Sequence, residues 1–474
     1  MRGILEAAIY VPRWRLETAN ISETWGQSTA KGIDEKAVPA ADEDTLTMAI
    51  EAVERLFSNS TADRNDVDHV AVATTTPPLA EGDLVAKLRT ATGLPANVRT
   101  ATLTQHTASG AEALATAIDR DGLSLVVCSD CPVGIPATTD HPLGAGAAAM
   151  LIGEDARTAV SSVGWYSLDA PGIRFRTADS VQSLGITNYE RETIITAVTA
   201  AMENTTTDRS IDYAVLHQPN GTLPYRIARS VSIDTEKLTH GIVSRTIGDV
   251  GTATVAIALL KTLSEATTGE DTLAVFYGGG TAAAFNCTGS LNVSGLLDFD
   301  ETESLTYATY LRQRGYLGTE QITGGGANVS LPTWQRSLGS RYRLVAGRCP
   351  LCDSISFPPD GACQTCHERV SFEHVPAERE GTIVAASVIG HGGAPPEFTT
   401  YQQRSGRYAA VIVELPVGDQ SVRVPAQLTD IDTDEVAIEI GDTVRSTIRR
   451  IYEQEGVVRY GVKFTPNMKN RQTD

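Results

Sequence analysis

The segment Ile211-Asp212-Tyr213-Ala214-Val215-Leu216 repeats the pattern of Val67-Asp68-His69-Val70-Ala71-Val72, which lies 144 residues earlier in the chain. Each copy predicts a buried strand that runs into a loop ending at a proline, Pro77 in the first and Pro219 in the second. The repeat therefore predicts two similar α/β halves packed together, with a site between them. Two further pairs of segments keep the same order at spacings of 148 and 135 residues: Leu125–Val127 with Leu273–Val275, and Gly146–Ala149 with Thr281–Ala284.

Length and composition describe an ordinary globular chain. It has 474 residues, of which 41% are hydrophobic and 20% charged, and this length suggests two to four domains. No apolar run approaches the ~20 residues of a membrane span. Glu6, Pro12 and Arg13 interrupt the region where a signal peptide has its apolar core, so the predicted location is cytoplasmic. The net charge of −19 disfavours nucleic-acid binding, which needs a basic face.

Four of the seven cysteines form two closely spaced pairs. Cys349-Pro-Leu-Cys352 and Cys363-Gln-Thr-Cys366 each curl two thiolates toward one point, and together they supply the four sulfur ligands that Zn²⁺ prefers. Disulfides are the alternative, but they are rare in the cytoplasm. With four sulfur ligands no coordination position stays open for catalysis, so we predict a structural zinc ribbon.

The remaining cysteines are Cys128, Cys131 and Cys287. The first two belong to Cys128-Ser-Asp-Cys131, directly after the apolar run Leu123–Val127, where a redox or metal-binding role is conceivable. We favour buried free cysteines at the end of a core strand.

The last part of the chain differs in character from the rest. Residues 341–474 carry 15 basic and 18 acidic side chains, so most of the acidic excess lies earlier and a boundary falls near residue 340. Before it, a connector holds a predicted helix at Glu303–Gly315 and the flexible stretch Thr323–Gly326. After it, the β-rich segments predict a five-stranded barrel of the OB type. Those segments are Thr382–Val388, Tyr408–Glu414, Ser421–Leu428 and Asp442–Tyr452.

Motifs spread over nearly the whole chain carry a family resemblance. In chain order they are Gly3-Ile4, Tyr10-Val11-Pro12-Arg13-Trp14-Arg15, Gly144-Ala145-Gly146-Ala147-Ala148, His217-Gln218-Pro219-Asn220-Gly221, Ile247-Gly248, Tyr277-Gly278-Gly279-Gly280, Tyr342-Arg343-Leu344, Gly347-Arg348-Cys349 and Phe357-Pro358-Pro359. The first ~320 residues resemble the thiolase superfamily and, within it, archaeal-type 3-hydroxy-3-methylglutaryl-CoA (HMG-CoA) synthases. The remainder is similar to the DUF35 zinc-ribbon/OB domain that accompanies such enzymes.

The resemblance implies a duplicated thiolase-like five-layer α/β fold, followed by a rubredoxin-like zinc ribbon and an OB-type β-barrel. We expect the thiolase-like N-terminal half at 1–160 and the C-terminal half at 161–320. A linker at 321–340, the zinc ribbon at 341–380 and the OB fold at 381–474 then follow.

The resemblance also implies acyl-CoA chemistry at the junction of the halves. Such synthases use a cysteine nucleophile at a helix N-terminus, a glutamate as acid/base, and a histidine and an asparagine that serve the substrate and the oxyanion. In this chain the cysteine position falls at Thr107, the glutamate at Thr75 and the asparagine at Asp249, whereas the histidine is retained as His217. A threonine hydroxyl is a weaker nucleophile than a thiolate, and an ionised Asp249 would repel an oxyanion. The ordinary cysteinyl acyl-enzyme is therefore not expected.

Three interpretations remain open. In the first, the protein forms or breaks C–C bonds on an acyl-CoA thioester, either through Thr107 or Ser109 as nucleophile with His217 or His106 as base, or by an aldol or retro-aldol step without an acyl-enzyme. In the second, it is a non-catalytic acyl-CoA-binding scaffold subunit of a thiolase or HMG-CoA synthase complex. In the third, the barrel binds nucleic acid, which the charge disfavours. His106 as a structural residue and Asp249 as a turn residue are the alternatives to catalytic roles.

Further residues are candidates for binding the substrate. Asn220, Arg226 and Gly279 are predicted to contact it, and Arg229 and Arg245 are additional candidates for the CoA phosphates, which arginine binds in a bidentate way. The resemblance implies a homodimer and allows a separate thiolase as a partner.

Overall fold

The computed structural model describes residues 1–177, 180–205, 210–317, 330–390, 396–431, 438–454 and 456–466. Contacts divide the chain into two compact units. The first comprises Met1–Pro39, Asp44–Arg89 and Leu94–Tyr310, and the second Ala40–Glu43, Thr90–Gly93 and Leu311–Asp474. None of the helices in the described ranges combines the length and apolarity needed to cross a bilayer.

The elements up to residue 313 alternate strands and helices. In the first half they are β1 (Gly3–Tyr10), β2 (Trp14–Glu17), α1 (Thr18–Trp25), β3 (Glu35–Val38), α2 (Thr45–Ser58), β4 (Val67–Ala73), α3 (Leu84–Thr92), β5 (Arg99–Leu103), α4 (Ser109–Ile118), β6 (Leu123–Asp130) and β7 (Gly146–Gly153). In the second half they are β8 (Thr158–Ser167), α5 (Thr187–Glu203), β9 (Tyr213–Leu216), α6 (Leu223–Ser230), α7 (Ser244–Ile247), α8 (Ala253–Glu265), β10 (Asp271–Gly278), β11 (Thr281–Gly289), β12 (Val293–Ser294), β13 (Glu303–Ser304) and α9 (Tyr307–Gln313). Short 3-10 helices occupy Arg64–Asp66, Thr235–Leu238 and Leu296–Phe299.

The strand order of the first unit confirms the duplication. Its main strands follow the path β5-β4-β6-β7-β1-β8-β11-β10-β9, with β12 paired to β1, while β13, β2 and β3 form a small separate sheet. The two halves meet at the pairing of β1 with β8. This pairing joins Gly3 to Ala159 and Ile4 to Thr158. On either side of that junction, β4, β6 and β7 correspond to β9, β10 and β11, which are the three repeated segments of the sequence.

The helices complete five layers. Helix α2 packs on β1, β6 and β7, whereas α5 packs on β8, β10 and β11 and α6 contacts β9. Helices α4 and α8 contact strands of both halves and share one buried core with them. Helix α8 consists mostly of Ala, Val, Ile, Leu and Thr and is buried nearly all round, as a central helix must be. The residues that precede α4 and α8 consequently lie deep in the first unit.

The second unit contains two sheets. Its elements are α10 (Leu331–Arg336), α11 (Leu338–Arg343), β14 (Val345–Arg348), β15 (Ile355–Ser356), β16 (Glu373–Pro376), β17 (Glu380–Ile389), α12 (Pro396–Ser405), β18 (Tyr408–Val417), β19 (Gln420–Gln427), β20 (Thr443–Gln454) and β21 (Val457–Pro466). The ribbon has the order β15-β14-β16, and the larger antiparallel sheet β19-β18-β17-β20-β21. A bridge from Leu428, just after β19, to Phe464 in β21 nearly closes this sheet into the expected barrel.

The predicted bounds differ from the structure mainly in the connector. The helix expected at Glu303–Gly315 is shorter, because β13 takes its first residues and α9 begins at Tyr307. Two short helices occupy 331–343, across the end of the predicted linker, and Ser330 caps the first of them by accepting a hydrogen bond from the Thr333 amide. The stretch Thr323–Gly326 lies outside the described residues.

Candidate active site and candidate metal centre

Thr107 lies in the turn that leads into α4, where the sequence places the nucleophile of the related synthases. The residue is buried, and its hydroxyl donates a 2.7 Å hydrogen bond to the backbone carbonyl of Tyr277 at the end of β10. A side chain at Gly278 would lie 2.4 Å from the Ala108 amide nitrogen, so only glycine permits this close packing. Gln105 has a φ of +84°, which is strained for a non-glycine residue.

His217 follows β9, and its ring contacts the ring of Tyr277. The two ring centroids are 5.3 Å apart. Desolvation by the surrounding protein lowers the pKa of His217 to about 4; the nearby Asp249 opposes this effect and Arg174 adds to it. The imidazole is therefore neutral at physiological pH and can donate a hydrogen bond without carrying charge.

Asp249 forms an ion pair that the sequence did not indicate. Its Oδ2 accepts a hydrogen bond from Nη1 of Arg174, and its Oδ1 accepts from the Gly251 amide at 2.9 Å and from the Thr254 hydroxyl at 3.3 Å. Asp249 thus stabilises the turn before α8, the structural role that the sequence analysis left open. It also holds the guanidinium of Arg174 near His217. Thr107 and His217 both contact Tyr277, and His217 interacts with Asp249, so the structure brings the three predicted residues into one neighbourhood.

Thr75, at the glutamate position, is engaged by Asp130, a residue that sequence reasoning did not identify. Both the amide (2.8 Å) and the hydroxyl (2.9 Å) of Thr75 donate to the fully buried Asp130 carboxylate. The hydroxyls of Thr74 and Thr76 and the amide of Thr252 donate to it as well. Asp130 therefore fixes the loop after β4 to the turn before α8.

We expect Asp130→Ala to lower the free energy of unfolding by about 3–5 kcal/mol, because two buried and three partly buried donors lose a shared carboxylate. Urea denaturation followed by circular dichroism measures this change. Asp63→Ala is the matched control, since Asp63 caps only a short 3-10 helix and its loss costs about 1 kcal/mol. Equal midpoint shifts for the two variants would contradict the role given to Asp130.

His106 forms a pair with Glu112 one turn into α4. Its Nε2 lies 3.3 Å from Oε1 of Glu112, and its buried Nδ1 has no hydrogen-bond partner among the described residues. A carboxylate at Nε2 favours the tautomer protonated there, which leaves the lone pair on Nδ1. Ser109 differs, because it is fully buried and its hydroxyl lies 3.2 Å from that of Thr252.

The predicted substrate-binding residues are spread more widely. Oδ1 of Asn220 accepts hydrogen bonds from the Thr222 and Leu223 amides, so this oxygen stabilises the start of α6. Arg226 and Arg229 are exposed on α6, and Arg245 is exposed and paired with Asp34 at 2.6 Å. Gly279 is exposed, with a φ of +59°, and packs beside His106. Their contacts with a substrate stay predictions.

The two cysteine pairs converge in the second unit. The sulfur atoms of Cys349, Cys352, Cys363 and Cys366 all lie within 4.8 Å of one another, which fits a tetrahedral Zn²⁺ site. Hydrogen bonds from the Ser354 hydroxyl and from backbone amides lower the pKa of the Cys363 thiol to about 5, which favours the thiolate that binds metal. Cys128 and Cys287 are buried, and burial raises the pKa of each thiol to about 12, as expected for inert core cysteines.

Three residues of the candidate site were not predicted, and each acts through a contact with another side chain. Arg174 and Asp130 have partners 75 and 56 residues away in the chain, and Glu112 has one 6 residues away. Arg174 lies in an irregular segment without periodicity, so no pattern could have indicated it. Asp130 belongs to the Cys128-Ser-Asp-Cys131 motif, which was interpreted from its cysteines and not from its carboxylate.

Comparisons with known proteins agree with this architecture. The hydroxymethylglutaryl-CoA synthase of Methanosphaera stadtmanae is 27% identical over 341 residues, which are 66% of this chain and 99% of that protein. The corresponding synthase of Thermococcus onnurineus is 30% identical over 297 residues, covering 59% of this chain and 84% of that one. A crystal structure of an HMG-CoA synthase complexed with CoA matches with a TM-score of 0.61 at 17% identity, over 69% of this chain and 94% of that chain. The model of the ChsH2 rubredoxin-like zinc ribbon domain matches residues 336–373.

Proposed function

The chain belongs to the hydroxymethylglutaryl-CoA synthase family of acyl-CoA condensing enzymes, and we propose that it forms or breaks a C–C bond on an acyl-CoA thioester without an acyl-enzyme. The observation that carries the proposal is the hydrogen bond of Thr107. Its hydroxyl donates a hydrogen bond to the Tyr277 carbonyl. The proton therefore points to a carbonyl oxygen and not to a base that could remove it to create a nucleophile. Ser109 is likewise buried against Thr252. Enolate chemistry needs neither hydroxyl.

The proposed step assigns separate tasks to the two histidines. His106, oriented by Glu112, removes a proton from the α-carbon of the acyl-CoA, and neutral His217 donates a hydrogen bond to the thioester oxygen as it gains charge. The enolate carbon then bonds to the carbonyl carbon of a second substrate, and the new alkoxide receives the proton from His106. In the breaking direction the same steps run in reverse. No oxidant or reductant is needed in either direction.

The test is proton exchange at the α-carbon. Acetyl-CoA is incubated with the protein in D₂O, and loss of its methyl proton signal is followed by NMR, while the intact mass of the protein is measured. We expect exchange without an adduct on the wild-type protein. Thr107→Cys should form an acetyl adduct, because it restores a thiol at the turn before α4. An acetyl adduct on Thr107 or Ser109 of the wild type would contradict the proposal and favour a hydroxyl nucleophile.

A second candidate function is a non-catalytic acyl-CoA-binding scaffold in a thiolase or HMG-CoA synthase complex. It is favoured by the hydrogen bonds that engage the hydroxyls of Thr75, Thr107 and Ser109 inside the protein. Binding of acetyl-CoA with neither exchange nor a C–C product from acetoacetyl-CoA, together with tight association with a separate thiolase, would support it. In either case the four cysteines are proposed to hold Zn²⁺ in a structural role, since all four ligands are protein sulfurs.

A further inference from the structure

Arg174 presents a donor that none of the described residues accepts. One terminal nitrogen of its guanidinium, Nη1, donates to Asp249, whereas the other, Nη2, is buried and has no hydrogen-bond partner among the described residues. Buried donors in native proteins are almost always satisfied, and an unsatisfied charged donor is especially costly. An unused guanidinium N–H therefore indicates a position for an acceptor that a ligand supplies.

The surroundings of Arg174 identify the kind of acceptor. Asp249 occupies the position of the asparagine that serves the oxyanion in the related synthases, and Arg174 interacts electrostatically with His217. Asp249 is itself fixed by the Gly251 amide and the Thr254 hydroxyl, so the guanidinium has a rigid anchor. A guanidinium stays protonated at all physiological pH values and donates best to an oxygen that carries negative charge.

We propose that Arg174, held in place by Asp249, donates a hydrogen bond from Nη2 to the thioester oxygen of the acyl-CoA as that oxygen gains charge. The Arg174–Asp249 pair then takes the role that the asparagine has in the related synthases, because Arg174 offsets the charge of Asp249 and supplies the hydrogen-bond donor. This inference rests on the proposed function, since it needs an acyl-CoA thioester in the site. The simpler alternative is that Arg174 only neutralises Asp249.

The experiment measures the polarity of the bound carbonyl group. Acetyl-CoA labelled with ¹³C at the carbonyl carbon is bound to the full-length protein, and its ¹³C chemical shift is compared with that of the free compound. We expect a downfield shift in the wild type, a smaller shift in Arg174→Gln because His217 is then the remaining proposed donor, and a fall of about 10²–10³-fold in α-proton exchange for that variant. Arg176→Gln is the matched control, because Arg176 is two residues away, is exposed and donates only to the Thr75 carbonyl among the described residues; its ¹³C shift should match the wild type.

A double variant separates the two roles of Arg174. Asp249→Leu combined with Arg174→Gln removes both charges without placing an amide donor at position 249, so it also avoids the unpaired Asp249 that could unfold the single variant. A double variant that keeps the reduced shift of Arg174→Gln supports donation by Arg174. Recovery of the shift and of exchange would show that Arg174 only neutralises Asp249 and would overturn the proposal. Binding of acetyl-CoA with an unshifted carbonyl in the wild type overturns this inference alone, whereas no binding at all overturns the proposed function and, with it, this inference.

Discussion

Cys363→Ser is expected to abolish zinc binding and to unfold the ribbon formed by β14, β15 and β16. The three strands are short, and in comparable small zinc modules metal binding supplies about 10–16 kcal/mol of folding free energy. Serine offers no thiolate, so the tetrahedral sulfur shell loses one of its four ligands. Zinc content measured by mass spectrometry should fall from about one ion per chain to near zero. Amide hydrogen exchange should rise across residues 345–376.

His374→Gln is the control for this variant. His374 lies on β16 of the same ribbon, is exposed and offers a nitrogen that could bind zinc, yet it does not belong to the four-cysteine group. This variant should keep the full zinc content and the protection of the ribbon. Zinc content that stays unchanged in Cys363→Ser would refute the assignment of the ligands.

His217→Gln is expected to slow α-proton exchange of bound acetyl-CoA by about 10²–10³-fold, the usual cost of removing one donor to a developing oxyanion. The affinity for CoA should change little, since the donor matters most once the thioester oxygen gains charge. NMR-detected exchange and isothermal titration calorimetry with CoA measure the two effects. His240→Gln is the control: His240 contacts the ring of Tyr213 and lies outside the candidate site. Similar losses in both variants would argue against a specific role for His217.

The pH dependence of stability offers a check on His217 that is independent of turnover. Its pKa in the folded protein is about 4, below the usual 6.5, so the unfolded chain binds more protons between these two values. The contribution of His217 therefore makes the protein less stable as the pH falls from about 6.5 to about 4. His217→Gln should weaken this dependence. NMR titration of the wild type should show a neutral imidazole down to about pH 5; titration near pH 6.5 would contradict the desolvation that lowers the pKa.

Local patterns were sufficient for most of the fold. The repeated strand segments predicted β4, β6 and β7 and their counterparts β9, β10 and β11, because a buried strand needs a short apolar run that can be recognised without its neighbours. The strands of the barrel were predicted with bounds that differ by at most three residues from those of β17, β18, β19 and β20. The connector was less accurate, since pairing of Glu303 with Trp14 in β2 removes the first residues of the expected helix.

The candidate site was predicted in part. The resemblance indicated Thr107, His217 and Asp249; in the structure Thr107 and His217 contact Tyr277, and Asp249 interacts with His217. Nothing in the pattern of residues 168–177 indicated that Arg174 pairs with Asp249. The sequence pattern also could not show that the Thr107 hydroxyl donates a hydrogen bond to a backbone carbonyl, because this contact depends on the packing of β10 against the turn before α4.

The order of residues along the chain was enough to determine the duplicated α/β plan and the four cysteines of the zinc ribbon. Each of these features can be recognised from the types of residue in a short segment and from their spacing within it. The tertiary structure decided which polar groups are already satisfied: Thr75 donates to Asp130 and Thr107 to Tyr277, whereas Nη2 of Arg174 has no acceptor among the described residues. These partners are brought together across tens of residues by burial of the central helices, and hydrogen bonding and desolvation depend on that three-dimensional proximity.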